Sequence, residues 1–164
     1  MGMRNKMKKL SKIEIFLELM SLVGMVLIFI VAIRTWINGP DIIPIHFNSA
    51  GAVDGYGSKG SVFIMPIILI VLYLMLTVLT KYPEVYNYAV KITESNREKQ
   101  YKMATMLMRI LKLELIVMFT YIEITTWMII KNGYGKLPGV FTILTMIILF
   151  GTIGIYIYKS SKIK

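Results

Sequence analysis

G-P-D-I-I-P-I-H-F-N-S-A-G-A-V-D-G-Y-G-S-K-G-S, residues Gly39 to Ser61, lies between two long apolar runs and holds the only histidine, His46. Proline fixes its own φ, glycine reaches angles closed to other residues, and Asn or Asp before Gly favours tight turns. The stretch therefore reads as a shaped loop. The spacing predicts Pro44 to Phe47 extended, a turn at Asn48-Ser49-Ala50-Gly51, a return through Ala52-Val53 and a second turn at Asp54-Gly55. A short hairpin-like cap is the expected result.

Outward from this loop the chain is dominated by apolar runs. Of its 164 residues 56% are hydrophobic and the mean hydropathy is +0.66, above the roughly 45–50% apolar content of soluble domains. About 20 apolar residues cross a bilayer core. Spans are expected over about 13–37, 62–79, 111–130 and 137–158. Pro66 falls near the start of the second, where a missing N–H costs little. Ser95-Asn96-Arg97-Glu98 has the form of a capping box. From there one helix can run to about Ile130, roughly 50 Å at 1.5 Å per residue, longer than the membrane is thick. Asn132-Gly133-Tyr134-Gly135 should end it. The fold class is an all-α integral membrane protein with four transmembrane helices and a structured extracytoplasmic loop.

The net charge of +10 raises nucleic acid as a partner, but the basic residues sit between apolar runs, where they orient the chain and attract lipid head groups. The expected partner is the lipid bilayer, with no nucleic acid. Five Lys/Arg precede the first run, five lie between the second and third, and three end the chain. Only Lys59, Lys131 and Lys136 lie on the other side. Excess Lys/Arg marks the cytoplasm, so both termini are expected inside and His46 outside. The run after Lys12 has no small-residue cleavage site, so it reads as a retained helix. Tyr82, Tyr86, Tyr88 and Tyr101 suit head-group level.

The order Pro44-x-His46-Phe47-Asn48-x-x-Gly51-x-x-Asp54-Gly55-Tyr56-Gly57-x-Lys59 between two spans resembles the bacterial domain of unknown function that begins SdpI-type immunity proteins. The resemblance covers about 1–101, leaving 102–164 as two further spans. It implies a protein of the bacterial cell membrane that protects against a membrane-active peptide toxin and can hold a cytoplasmic repressor at the membrane. Under that reading His46, Phe47, Asn48, Tyr56 and Lys59 would meet the ligand, while Pro44, Gly51, Asp54 and Gly55 set the backbone path. This chain is shorter than those proteins after the domain, which weakens the repressor role. The plain alternative is that the loop only caps the bundle, with His46 and Tyr56 tucked onto the helix ends.

An enzyme is hard to assemble from these residues. With no cysteine there is no thiolate or disulfide chemistry. A zinc site wants three or four convergent ligands, and the loop offers only His46, Asp41 and Asp54 at no ligand spacing, so no metal or cofactor is expected. Thirteen methionines read as packing. Charges within spans mark pairing or function. Glu14 and Glu18 share a face and read as interfacial carboxylates, and Arg109 and Lys112 as snorkelling cations. Glu123 is too deep for that. It shares a stripe with Thr120, Thr126 and Trp127, half a turn from Glu114, and Arg34 is its expected partner. A small proton-coupled transporter or channel using Glu18 or Glu123, or a structural subunit, are the competing functions.

Overall fold

A computed structural model describes residues 9–163. Most of the basic N-terminal segment, and Lys164, lie outside the described residues. Among the described residues, four helices are long and apolar enough to cross a membrane. They are α1 (Lys12–Asn38), α2 (Ile64–Leu79, preceded by a 3-10 turn, Lys59–Phe63), α3 (Arg97–Asn132) and α4 (Gly139–Ser161). Between α1 and α2 stands an antiparallel hairpin of β1 (Ile42–Phe47) and β2 (Val53–Ser58). The chain is a mostly helical, multi-pass membrane protein, and its loop is a small sheet.

Local chemistry sets the helix ends. Ser11 and Glu14 form the capping box of α1: Glu14 N–H donates to Ser11 Oγ at 3.3 Å and Ser11 N–H to Glu14 Oε2 at 2.8 Å. The box expected at Ser95 is not what starts α3. Asn96 occupies the cap position with its side chain turned back, accepting from Thr93 N–H at 2.9 Å and donating to the Lys91 carbonyl at 3.0 Å. The preceding loop supplies those partners, so it wins over the helix end. Gly133 closes α3 as expected, at φ +74° with its N–H on the Ile129 carbonyl. In the connection after α2, Tyr86 and Tyr88 donate to the Leu79 and Pro83 carbonyls. Burial pushes both phenols above the ordinary tyrosine range.

α1 and α3 run in the same direction and pack along their length. The α1 face that meets α3 is Ser21, Gly24, Met25, Ile28, Ala32 and Thr35, spaced three and four apart. Small residues let the backbones approach: a Cβ on Gly24 would lie 2.5 Å from Ile116 Cγ2. Met25, Ile28, Leu69 and Ile116 form one apolar core, and Ala32, Ile43 and Val62 a second beneath the hairpin. α4 packs mainly on α3. Its end is tied down where Gln100 donates to the Ser160 and Ile163 carbonyls and accepts from Ser160 Oγ. The large aliphatic side chains left exposed on the helices, such as Leu22, Val26 and Ile30, suit lipid rather than water.

The hairpin departs from expectation at one point. The turn at residues 48–51 is present, but Asp54 and Gly55 lie inside β2, not in a second turn. Gly55 pairs with His46 across a register shift, and a Cβ there would stand 2.9 Å from His46 Cβ. The glycine thus admits a close strand approach at a bulge. Gly51, at φ +76°, is held by a second strand of chain: Leu137 N–H donates to its carbonyl at 2.8 Å, and a Cβ would fall 1.7 Å from Leu137 O. Gly133 has a similar φ of +74° and open space around it. Gly133→Ala should therefore cost about 1–2 kcal/mol of backbone strain, and Gly51→Ala clearly more. Thermal unfolding of the two purified variants in detergent checks this ranking, and equal losses would contradict it.

Candidate functional site

The hairpin sorts the motif residues into two groups. Asn48 builds the turn: its Oδ1 accepts from Ala50 N–H at 3.0 Å and Ala52 N–H at 3.1 Å. Pro44 is buried and Phe47 half-buried opposite Val53. Lys59 pairs with Asp41 at 2.9 Å, with its ammonium 5.5 Å from the Trp36 ring, so it staples the hairpin's base. His46 and Tyr56 are different. The His46 side chain is 69% exposed and meets Asp54 Oδ1 through Nδ1, and Tyr56 is 64% exposed. Neither is tucked onto a helix end. Ile42 and Ile45 are also exposed on β1, so the hairpin carries exposed aliphatic side chains as well as one imidazole and one phenol.

The expected Arg34–Glu123 pair does not form. Arg34 sits on the exposed flank of α1, and its guanidinium lies 5.0 Å from the Trp127 ring centre. A cation at the rim gains a ring face without crossing into the seam. Glu123 is 7% exposed, and among the described residues it has no ion-pair or hydrogen-bond partner. Glu114, on the opposite side of α3, accepts from Thr152 Oγ1 of α4 at 2.6 Å.

A four-charge cluster lies at the opposite end of the bundle from the hairpin, in place of the snorkelling and interfacial side chains expected there. Glu14 Oε1 stands 3.2 Å from Arg109 Nη1, and Glu18 Oε1 3.3 Å from Arg109 Nε. Both are charge contacts without hydrogen-bond geometry: Arg109 Nη1 donates instead to the Thr105 carbonyl at 3.1 Å, and Nε has no hydrogen-bond partner among the described residues. Glu18 Oε2 meets Lys112 Nζ, which also donates to Thr77 Oγ1 of α2 at 2.9 Å and sits 4.5 Å from the Tyr73 ring. Lys112 is 1% exposed. Two carboxylates one turn apart on α1 thus face two cations three apart on α3. That matched spacing is the signal the sequence carries. Reading it requires knowing that α1 and α3 are neighbours in register.

Residues 23–70 match a domain of unknown function, DUF1648. The DUF1648 match contains the whole motif from Pro44 to Lys59 and is shorter than the span the resemblance suggested. An uncharacterized protein from Archaeoglobus fulgidus is 25% identical over 158 residues, covering 88% of this chain and 85% of that one. No solved structure matches the chain. Glu14, Glu18, Thr77, Arg109 and Lys112 all lie outside the DUF1648 segment, so the cluster joins that segment's two helices to α3 from beyond its ends.

Removing one member of a buried pair strands the other in a poor dielectric, at about 3–5 kcal/mol. Lys112→Ala and Glu18→Ala should each destabilise on that scale. The double variant, which keeps Glu14 with Arg109, should lose clearly less than the two singles added. Unfolding of all three in detergent reads this coupling, and strict additivity would rule it out.

Proposed function

We propose that this protein is a bacterial cell-membrane protein whose hairpin faces outward and recognises a membrane-active peptide, as in the immunity proteins its motif resembles. The observation that carries the reading is that His46 and Tyr56 stay exposed on a backbone that is otherwise pinned. The Asn48 turn, the Gly51–Leu137 bond and the Lys59–Asp41 pair hold the scaffold. A preordered scaffold loses little entropy on binding. An aromatic ring with aliphatic neighbours and nearby polar groups is a common makeup for a binding hot spot. A peptide that partitions into bilayers carries the apolar face that Ile42 and Tyr56 would meet. A cytoplasmic repressor, if held, would meet the part of α3 that extends beyond the cluster, residues 97–108. The transporter reading loses one of its two carboxylates, because Glu18 is occupied by Arg109 and Lys112.

Two experiments test the proposal. Orientation comes first, since it rests on the Lys/Arg distribution. Single cysteines at Ser49 and Asn132 should react with an impermeant thiol reagent in intact cells, and one at Ser95 should not; all three positions are exposed. Labelling at Ser95 alone would reverse the topology. For recognition, His46→Ala and Tyr56→Ala should leave the amount of inserted protein near normal and abolish survival of expressing cells challenged with the secreted peptide. Gly51→Ala should lower both. Survival that follows abundance across the whole set would leave the hairpin a purely structural cap.

A further inference from the structure

The α1–α3 seam contains a carboxylate that its surroundings do not support as an anion. Glu123 is more than nine-tenths buried, nine residues before the end of α3, or roughly 14 Å deep at 1.5 Å per residue. The two threonine hydroxyls on its face are committed elsewhere. Thr120 Oγ1 donates to the Gly24 carbonyl at 3.4 Å and Thr126 Oγ1 to the Ile122 carbonyl at 2.9 Å. Arg34, the charged residue on the adjoining part of α1, lies on Trp127. On α2 there is no charged side chain, and its one phenol, Tyr73, sits with Lys112. α4 carries no charge before Lys159. On α3 itself, Tyr121 stacks on Phe141 at 4.0 Å, Glu114 points to Thr152, and Lys131 is exposed in the last turn. Two other buried polar atoms have no partner among the described residues, Thr35 Oγ1 on α1 and Glu114 Oε2, whose other oxygen takes the Thr152 bond.

We infer that Glu123 is a proton-binding site, held as a neutral carboxylic acid at neutral pH. An ionised carboxylate without a cation or donor in this setting costs far more than a bound proton. Between Glu123 and the four-charge cluster lies the apolar layer of Met25, Ile28, Leu69 and Ile116, backed by Phe29, Leu72 and Phe119. That layer separates Glu123 from Lys112 by eleven residues, roughly 16 Å along α3. Toward the hairpin lie Thr35, Thr126 and the Arg34–Trp127 contact, and beyond them the second apolar cluster of Ala32, Ile43, Val62 and Ile130. This site is independent of peptide recognition and concerns a different ligand, the proton.

The test uses the full-length protein in detergent. In infrared spectra at neutral pH, the wild type should show the carbonyl stretch of a protonated carboxylic acid. That component should disappear in E123Q and persist in E114Q. A hydrophobic carbodiimide, which reacts with protonated buried carboxyls, should label the Glu123 peptide of the wild-type protein, with labelling lost as pH is raised. This second readout needs no variant to fold. A wild type with no such band, a band unchanged in E123Q, or a Glu123 peptide that stays unlabelled at neutral pH would each overturn the inference.

Discussion

The contact between Lys112 and Glu18 is the constraint on which the rest of the bundle depends. An ammonium with almost no exposed surface must find an anion, and Glu18 is the carboxylate within reach. Satisfying it fixes how far α3 is shifted along α1. The same shift then brings Gly24 against Ile116 and its carbonyl to Thr120. Further along, it brings Ala32 and Ile130 to the floor of the hairpin beside Ile43. Buried pairs of this kind are weak evidence for net stability, since apolar residues of equal volume often hold as well. An apolar seam of Leu and Ile also tolerates sliding by a turn. A charge pair does not, so its contribution here is register.

That register has a consequence at the far end. The hairpin is seated through Ile43 and Val62 and braced at its tip by Leu137, from the connection between α3 and α4. Three separate parts of the chain therefore hold two short strands, which as an isolated hairpin would be marginal. The residues that do the holding, Asn48, Gly51, Lys59 and Pro44, have their polar atoms or packing faces committed to the scaffold. Those left over, His46 and Tyr56, are the ones with freedom to meet something else.

α4 is attached differently. It touches the bundle through Glu114–Thr152, the Tyr121–Phe141 stack and the Gln100–Ser160 bonds at its end. None of its apolar span is buried inside the protein. Lipid suits such a surface, because hydrocarbon neither competes for hydrogen bonds nor penalises exposed Ile and Leu. α1 and α3 therefore carry the specific packing and the buried charges, while α4 closes one side of α3.

Much of the architecture is legible in the amino-acid sequence. Apolar runs of membrane length, the glycine closing α3 and the turn at Asn48–Gly51 follow from local physics: hydrocarbon burial and backbone angles depend on residues close together in sequence. The start of α3 misleads for the same reason in reverse. Ser95 to Glu98 has the right letters, but Asn96 has partners at Lys91 and Thr93 that a four-residue pattern does not contain. The Asp54-Gly55 pair reads as a turn by itself and becomes a bulge only because His46 lies opposite. The charges are the hardest to place. Their depth can be counted along each helix, which makes Glu123 conspicuous. Their partners cannot, because helix spacing gives each side chain an angle on its own axis and says nothing of which axis lies alongside. Depth alone matches Arg34 to Glu123. The tertiary structure turns Arg34 onto Trp127, leaves Glu123 unpaired, and gives Glu18 to Lys112 across 94 residues of sequence. Sequence sets where each charge sits in depth, and only the packing of α1 against α3 decides which charges meet.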